Sequence, residues 1–159
     1  MAPIHTKKPA SAPHGTQAWL ACVRAYNLCD AVMAARLAEI DLRVGDLEVL
    51  ATLATTPGIS QQELAQRCFV TKSGVSMLLS QMEARNWVAR ESHATDARTK
   101  CLTLTPQGQQ IAKQAMAIQT EVVAGMVAGA SEAEMQVIQH TMERASRQLQ
   151  GLLEQTKSR

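Results

Sequence analysis

Histidine and cysteine are the residue types that most readily do chemistry, and their spacing here supports none. His5, His14, His93 and His140 are dispersed, and Cys22, Cys29, Cys68 and Cys101 form no C-x-x-C pair. No H-x-x-x-H, G-x-S-x-G or phosphate loop occurs, so no catalytic residue, cofactor or metal site is expected, although a metal site assembled across two subunits stays open. Another set of side chains is more telling. Lys72, Ser73, Ser76, Ser80 and Gln81 share one side of a helical period, opposite Val75, Leu78, Leu79 and Met82. Small hydrogen-bonding side chains of this kind can approach base edges, whereas a merely solvated face carries more Glu and Lys.

Charge placement points the same way. The 159 residues have a formal net charge of only +2. Residues 67–100, however, hold six basic side chains (Arg67, Lys72, Arg85, Arg90, Arg98, Lys100) against three acidic ones. Residues 16–66 are net acidic, and residues 101–159 are balanced. A local cation excess beside a polar helix face suits a phosphate backbone, with Arg85, Arg90 and Lys100 as neutralising groups.

The elements that must position this face are legible from caps and periodicity. Composition is 46% hydrophobic and only 3% aromatic, which favours an Ala/Leu/Met-rich helical protein with one core. The start, MAPIHTKKPASAPHG, reads as a flexible, mildly basic tail over residues 1–15 rather than a secretory signal. No apolar run reaches the roughly 18–20 residues of a membrane span, and scattered thiols fit a reducing, cytoplasmic setting. A first helix is expected over Thr16–Leu42 and a second over Gly45–Thr55, stopped by Pro57-Gly58. Ser60 and Glu63 form a capping box that opens a short third helix, ending near Cys68. Thr71 offers the next N-cap, so two helix starts follow in close succession, the layout of a helix-turn-helix. The second of these helices runs to Arg85, and Asn86 is a candidate left-handed C-terminal residue.

A two-stranded hairpin follows, Trp87–Arg90 against Cys101–Leu104, with a polar loop over His93–Thr99. Thr105-Pro106 starts a fifth helix with the stripe Ile111, Ala115, Ile118 and Val122, weakened at its end by Gly125 and Gly129. A capping box at Ser131 and Glu134 starts the last helix. Its Met135, Ile138, Met142, Ala145, Leu149 and Leu152 form a heptad seam, which suits either packing within the chain or a subunit interface. The fold class is therefore mainly α: about six helices with a two-stranded β-wing, a winged helix-turn-helix. A winged helix presents one helix to the DNA major groove and a wing arginine to the minor groove. The competing reading is a winged-helix adaptor that binds protein and not DNA.

The segment from Pro57 to Gly108 resembles the DNA-binding core of the MarR family of bacterial transcriptional regulators, above all in Asp96-Ala97-Arg98, Leu102-Thr103-Leu104-Thr105 and Gly108. The resemblance covers about residues 43–112 closely. Asn86, Trp87 and Phe69 depart from the family pattern, and Asn86 still tolerates the left-handed turn. It implies a homodimer built by residues 16–42 and 106–159, a DNA-binding domain over 43–105, a pseudo-palindromic operator and repression. It also implies release by a small ligand or by thiol oxidation. Base and backbone contacts carry over to the Thr71 cap, Lys72, Ser73, Ser76 and Met77, with Ser80 and Gln81 beside them. Arg98 takes the minor groove, braced by Asp96. For the effector, the family implies a pocket between the first, second and fifth helices, taking an aromatic acid or phenol. Cys22 and Tyr26, at i and i+4, are similar to the peroxide-sensing branch of the family, but a lone Tyr and the habit of Cys as a small buried hydrophobe favour a structural Cys22.

Overall fold

The computed structural model describes residues 12–68, 72–92 and 100–157, with the backbone alone for Ala12, Lys72, Ser73, Ser92, Lys100 and Lys157. The described residues form α1 (Ala12–Ala38), α2 (Val44–Thr55), β1 (Ile59–Ser60), α3 (Gln61–Arg67), α4 (Lys72–Ala84), β2 (Val88–Ser92), β3 (Lys100–Leu104), α5 (Pro106–Met126) and α6 (Glu132–Lys157). Two compact units result, one up to Val123 and one from Ala124 onward.

In the first unit the expected apolar stripes close on one core. Leu47, Leu50 and Leu53 of α2, Leu64 of α3, and Val75, Leu78, Leu79 and Met82 of α4 are all buried. Leu37 of α1, Leu102 of β3, and Ala112 and Ala115 of α5 complete it, with Ile111, Ile118 and Val122 packed at its edge. Burial of this kind stabilises by about 1.5–3 kcal/mol per large side chain, which is what holds α4 with its other face outward. An Arg36–Glu121 ion pair at 2.9 Å ties α1 to α5.

Three features differ from the sequence expectation, each for a physical reason. The first helix starts at Ala12 and so takes in the last residues of the expected tail; Pro13 sits in its first turn, where a missing N–H is harmless. That helix also stops at Ala38 and does not reach Leu42. Asp41 adopts φ 57°, and Leu42 N–H reaches back to Leu37 carbonyl at 3.0 Å while Asp41 N–H bonds Ala38 carbonyl at 3.1 Å. This is a Schellman closure with Asp in the glycine position, and it buries Leu42. Thirdly, the sheet has three strands in the order β1-β3-β2, not two. Ile59, outside the expected hairpin, pairs antiparallel with Leu102, and Gly58 N–H adds a bond to Leu102 carbonyl at 2.9 Å.

Other caps form as expected. Glu63 N–H donates to Ser60 Oγ at 3.2 Å, and Ser60 N–H donates to Glu63 Oε2 at 2.8 Å. The Ser60 N–H and the Ser60 hydroxyl, both donating to Glu63 Oε2, hold the Glu63 carboxyl below its ordinary pKa of 4.5. Asn86 takes φ 56°, closing α4 with Trp87 N–H bonded to Met82 carbonyl at 2.8 Å. Thr105 caps α5: its Oγ1 accepts from Gly108 N–H at 3.0 Å. Here glycine is needed for space, because a Cβ on Gly108 would lie 1.9 Å from Trp87 carbonyl oxygen.

The second unit is dominated by α6. Ser131 and Glu134 make the expected reciprocal cap, at 3.3 Å and 2.8 Å, and it lowers the Glu134 pKa for the same reason. Of the heptad seam, Ile138, Met142, Leu149 and Leu152 are exposed.

Candidate nucleic-acid interface

The outward face of α4 is the centre of the site. Its inner stripe is locked into the core, so the residues on the opposite side of the helix point away from it. Ser76, Met77, Ser80 and Gln81 are exposed, Met77 to 57%. An exposed, unbranched Met among small polar side chains can make apolar contact while its neighbours donate and accept hydrogen bonds. Ser80 donates to Ser76 carbonyl at 3.0 Å, within the helix.

Two arginines expected at phosphates have partners within the chain. Arg85 pairs with the Asp41 carboxylate, donates to Asp41 carbonyl at 3.1 Å and lies 4.6 Å from the Trp87 ring centroid. It thereby brings a cation to the C-terminal end of α1, where the helix dipole favours one. Arg90 donates from Nε to Glu83 at 2.7 Å and from Nη1 to Gln61 at 3.0 Å. The remaining expected residues divide in two groups. Thr71, Asp96, Arg98 and the loop His93–Thr99 lie outside the described residues, as does Phe69 at the turn. The side chains of Lys72, Ser73 and Lys100 do too.

Two residues missing from the sequence expectation support this face. Gln61, at the start of α3, donates from Nε2 to Ser76 Oγ at 2.6 Å. Arg43, before α2, bonds buried Asp46 at 3.3 Å and Gln81 Oε1 at 2.5 Å. Each joins positions far apart in sequence, and neither lies in a periodic or charged run that could have marked it.

Away from α4, a depression of about 180 Å³ lies between α1, α2 and α5, where Tyr26, Cys29 and Met33 face Leu47, Ala51 and Gln119. Tyr26 is 69% exposed and Cys22 is exposed, and none of the described hydrogen bonds joins the two. Cys68 is buried near Thr52, and burial pushes its thiol above the ordinary value, partly opposed by the Thr52 hydroxyl. Among the described residues no group of His, Cys, Asp and Glu could hold a metal, and no helix is long and apolar enough to cross a membrane.

A MarR family model matches residues 40–99. An uncharacterised HTH-type transcriptional regulator of Bacillus cereus is 30% identical over 102 residues, covering 64% of this chain and 67% of that one. A Mycobacterium tuberculosis HTH-type transcriptional repressor is 31% identical over 86 residues, 54% of this chain and 62% of the repressor. Its crystal structure in complex with p-aminosalicylic acid superposes with a TM-score of 0.65 at 23% identity, over 86% of this chain and 99% of that one. A MarR variant from E. coli complexed with operator DNA superposes with a TM-score of 0.70 at 17% identity, over 84% of this chain and 94% of that one. These relatives are regulators rather than enzymes, and they share the winged helix-turn-helix fold. With its capped α3, its two-faced α4, its three-stranded sheet and these matches, the chain belongs to the MarR family of transcriptional regulators.

Proposed function

We propose that the protein is a repressor that binds a pseudo-palindromic operator in double-stranded DNA as a homodimer. The observation that carries this reading is the two-sided α4: buried Val75, Leu79 and Met82 on one side, exposed Ser76, Met77, Ser80 and Gln81 on the other. In this reading α4 enters the major groove with Thr71, Lys72 and Ser73 at its leading end. Arg98 reaches the minor groove, Asp96 braces it, and Lys100 neutralises phosphate. Arg85 and Arg90, still partly exposed beside their partners within the chain, neutralise the same backbone. Residues 43–105 form the DNA-binding domain, and residues 16–42 and 106–159 form the dimer. The exposed Ile138, Met142, Leu149 and Leu152 of α6 and Trp19 and Leu28 of α1 are apolar surface suited to a second copy.

Release is assigned to a small aromatic acid or phenol in the depression lined by Tyr26 and Met33, supported by the p-aminosalicylic acid complex of the M. tuberculosis relative. Thiol oxidation at Cys22 is the other route. It is refuted if a Cys22→Ser variant still leaves DNA under organic hydroperoxide.

The test is binding of the full-length chain to its own promoter region across a salt series, beside Arg98→Ala. A wild-type affinity that falls linearly in log–log form with salt, and a slope reduced by about one in the variant, supports the reading. Wild-type protein without salt-dependent affinity for any duplex in a genomic selection overturns it and favours a protein-binding adaptor.

A further inference from the structure

The engagement of Arg90 within the chain has a consequence for the reading face. A guanidinium only donates hydrogen bonds, so the Gln61 atom 3.0 Å from Arg90 Nη1 is the carbonyl Oε1. Its amide nitrogen then points the other way and donates to Ser76 Oγ at 2.6 Å. Glu83 fixes Arg90 from the other side, 2.7 Å from Nε, and this pair is about two-thirds covered. Carboxylate, guanidinium, amide and hydroxyl thus form a relay in which each member's polarity dictates the next. A serine oxygen that accepts from Gln61 keeps its own proton as the thing it can give.

Resting on the reading that α4 enters the major groove, we infer that Gln61 is a positioning residue that presents the Ser76 hydroxyl to DNA as a hydrogen-bond donor. The base pair it meets must then offer an acceptor there: purine N7, guanine O6 or thymine O4. The exocyclic amino groups of adenine and cytosine are disfavoured. Gln61 sets a base preference without touching DNA.

The substitution Gln61→Glu tests this by polarity alone. The carboxylate it introduces still accepts from Arg90 but also accepts from Ser76, so the serine proton turns inward. Full-length wild type, Ser76→Ala, Gln61→Glu and Gln61→Ala, with the Gln61→Glu/Ser76→Ala double variant, are each used to select operators from randomised duplexes, and thermal melting confirms folding. A single neutral hydrogen bond is worth about a 3- to 10-fold preference. The expected result is that Ser76→Ala and Gln61→Glu each lose about that much discrimination at the same base pair of each half-site. Preferences elsewhere hold, and the double variant behaves like Ser76→Ala alone. Gln61→Ala, which removes the donor without adding an acceptor, gives a smaller loss at that position. If Gln61→Glu keeps wild-type discrimination where Ser76→Ala loses it, or both variants weaken all positions equally, the inference is overturned. If wild type itself selects no sequence, the operator reading fails and this inference goes with it.

Discussion

Replacing Gly108 with alanine isolates the join between the sheet and α5. An alanine Cβ there would stand 1.9 Å from Trp87 oxygen and 2.7 Å from its carbonyl carbon, both backbone atoms with no rotamer to change. A comfortable C···O approach is about 3.3 Å or more, so the start of α5 must withdraw by over an ångström. Withdrawal strains the bonds that seat it: Thr105 N–H to Trp87 carbonyl at 3.0 Å, and Gly108 N–H to Thr105 Oγ1 at 3.0 Å. Overpacking costs about 1–3 kcal/mol and loss of an N-cap about 1 kcal/mol, against a helix-propensity gain of at most about 1 kcal/mol. The net expectation is a loss of about 2–3 kcal/mol, or about 5–10 °C in Tm for a chain of this size. Circular dichroism melts at one fixed protomer concentration measure it, since a dimer's Tm depends on concentration. Gly125→Ala is the control: it lies in the same helix with nothing within 4 Å of its Cβ, and it should be neutral or stabilising. If Gly108→Ala melts with wild type or with Gly125→Ala, the close approach does not constrain the fold and the reasoning is wrong.

Two further outcomes follow from the second unit. Ile138→Glu with Leu149→Glu places charges on the exposed α6 seam, so sedimentation velocity should show a monomer with unchanged helix content; a persisting dimer would exclude that seam as the interface. Glu134 has its pKa lowered by Ser131, so its charged form stabilises the fold above the ordinary value of 4.5 and that stability is lost as pH falls through the lowered folded value. Because Glu134→Gln keeps a hydrogen-bonding cap without the charge, the Tm gap between wild type and variant should be constant near neutrality and shrink on acidification. A gap that stays the same down to about pH 3 would contradict that assignment.

What can be read from the sequence is local, and what cannot is set by partners distant along the chain. Ser60 with Glu63, Ser131 with Glu134, and Thr105 with Pro106 declare helix starts within four residues, because capping is a short-range exchange of hydrogen bonds. The Val75–Met82 stripe assigns α4 its inward side, and so its outward side, by period alone. Asp41 shows the limit of such reading. Nothing in its neighbours marks a helix end, and Asp is a poor substitute for glycine at positive φ. Yet Leu42 gains burial and Arg85, 44 positions away, supplies a cation for the exposed carboxylate. The two-residue β1 is invisible for the same reason, since its pairing with Leu102 closes over a long loop. Charge is legible only in part. Arg85 and Arg90 read as phosphate ligands because a sequence shows the sign of a side chain but not its partner, and both have partners in the fold. In the relay inferred through Gln61, Arg90 acts on DNA through the hydrogen bond it directs, and its positive charge matters less than its inability to accept.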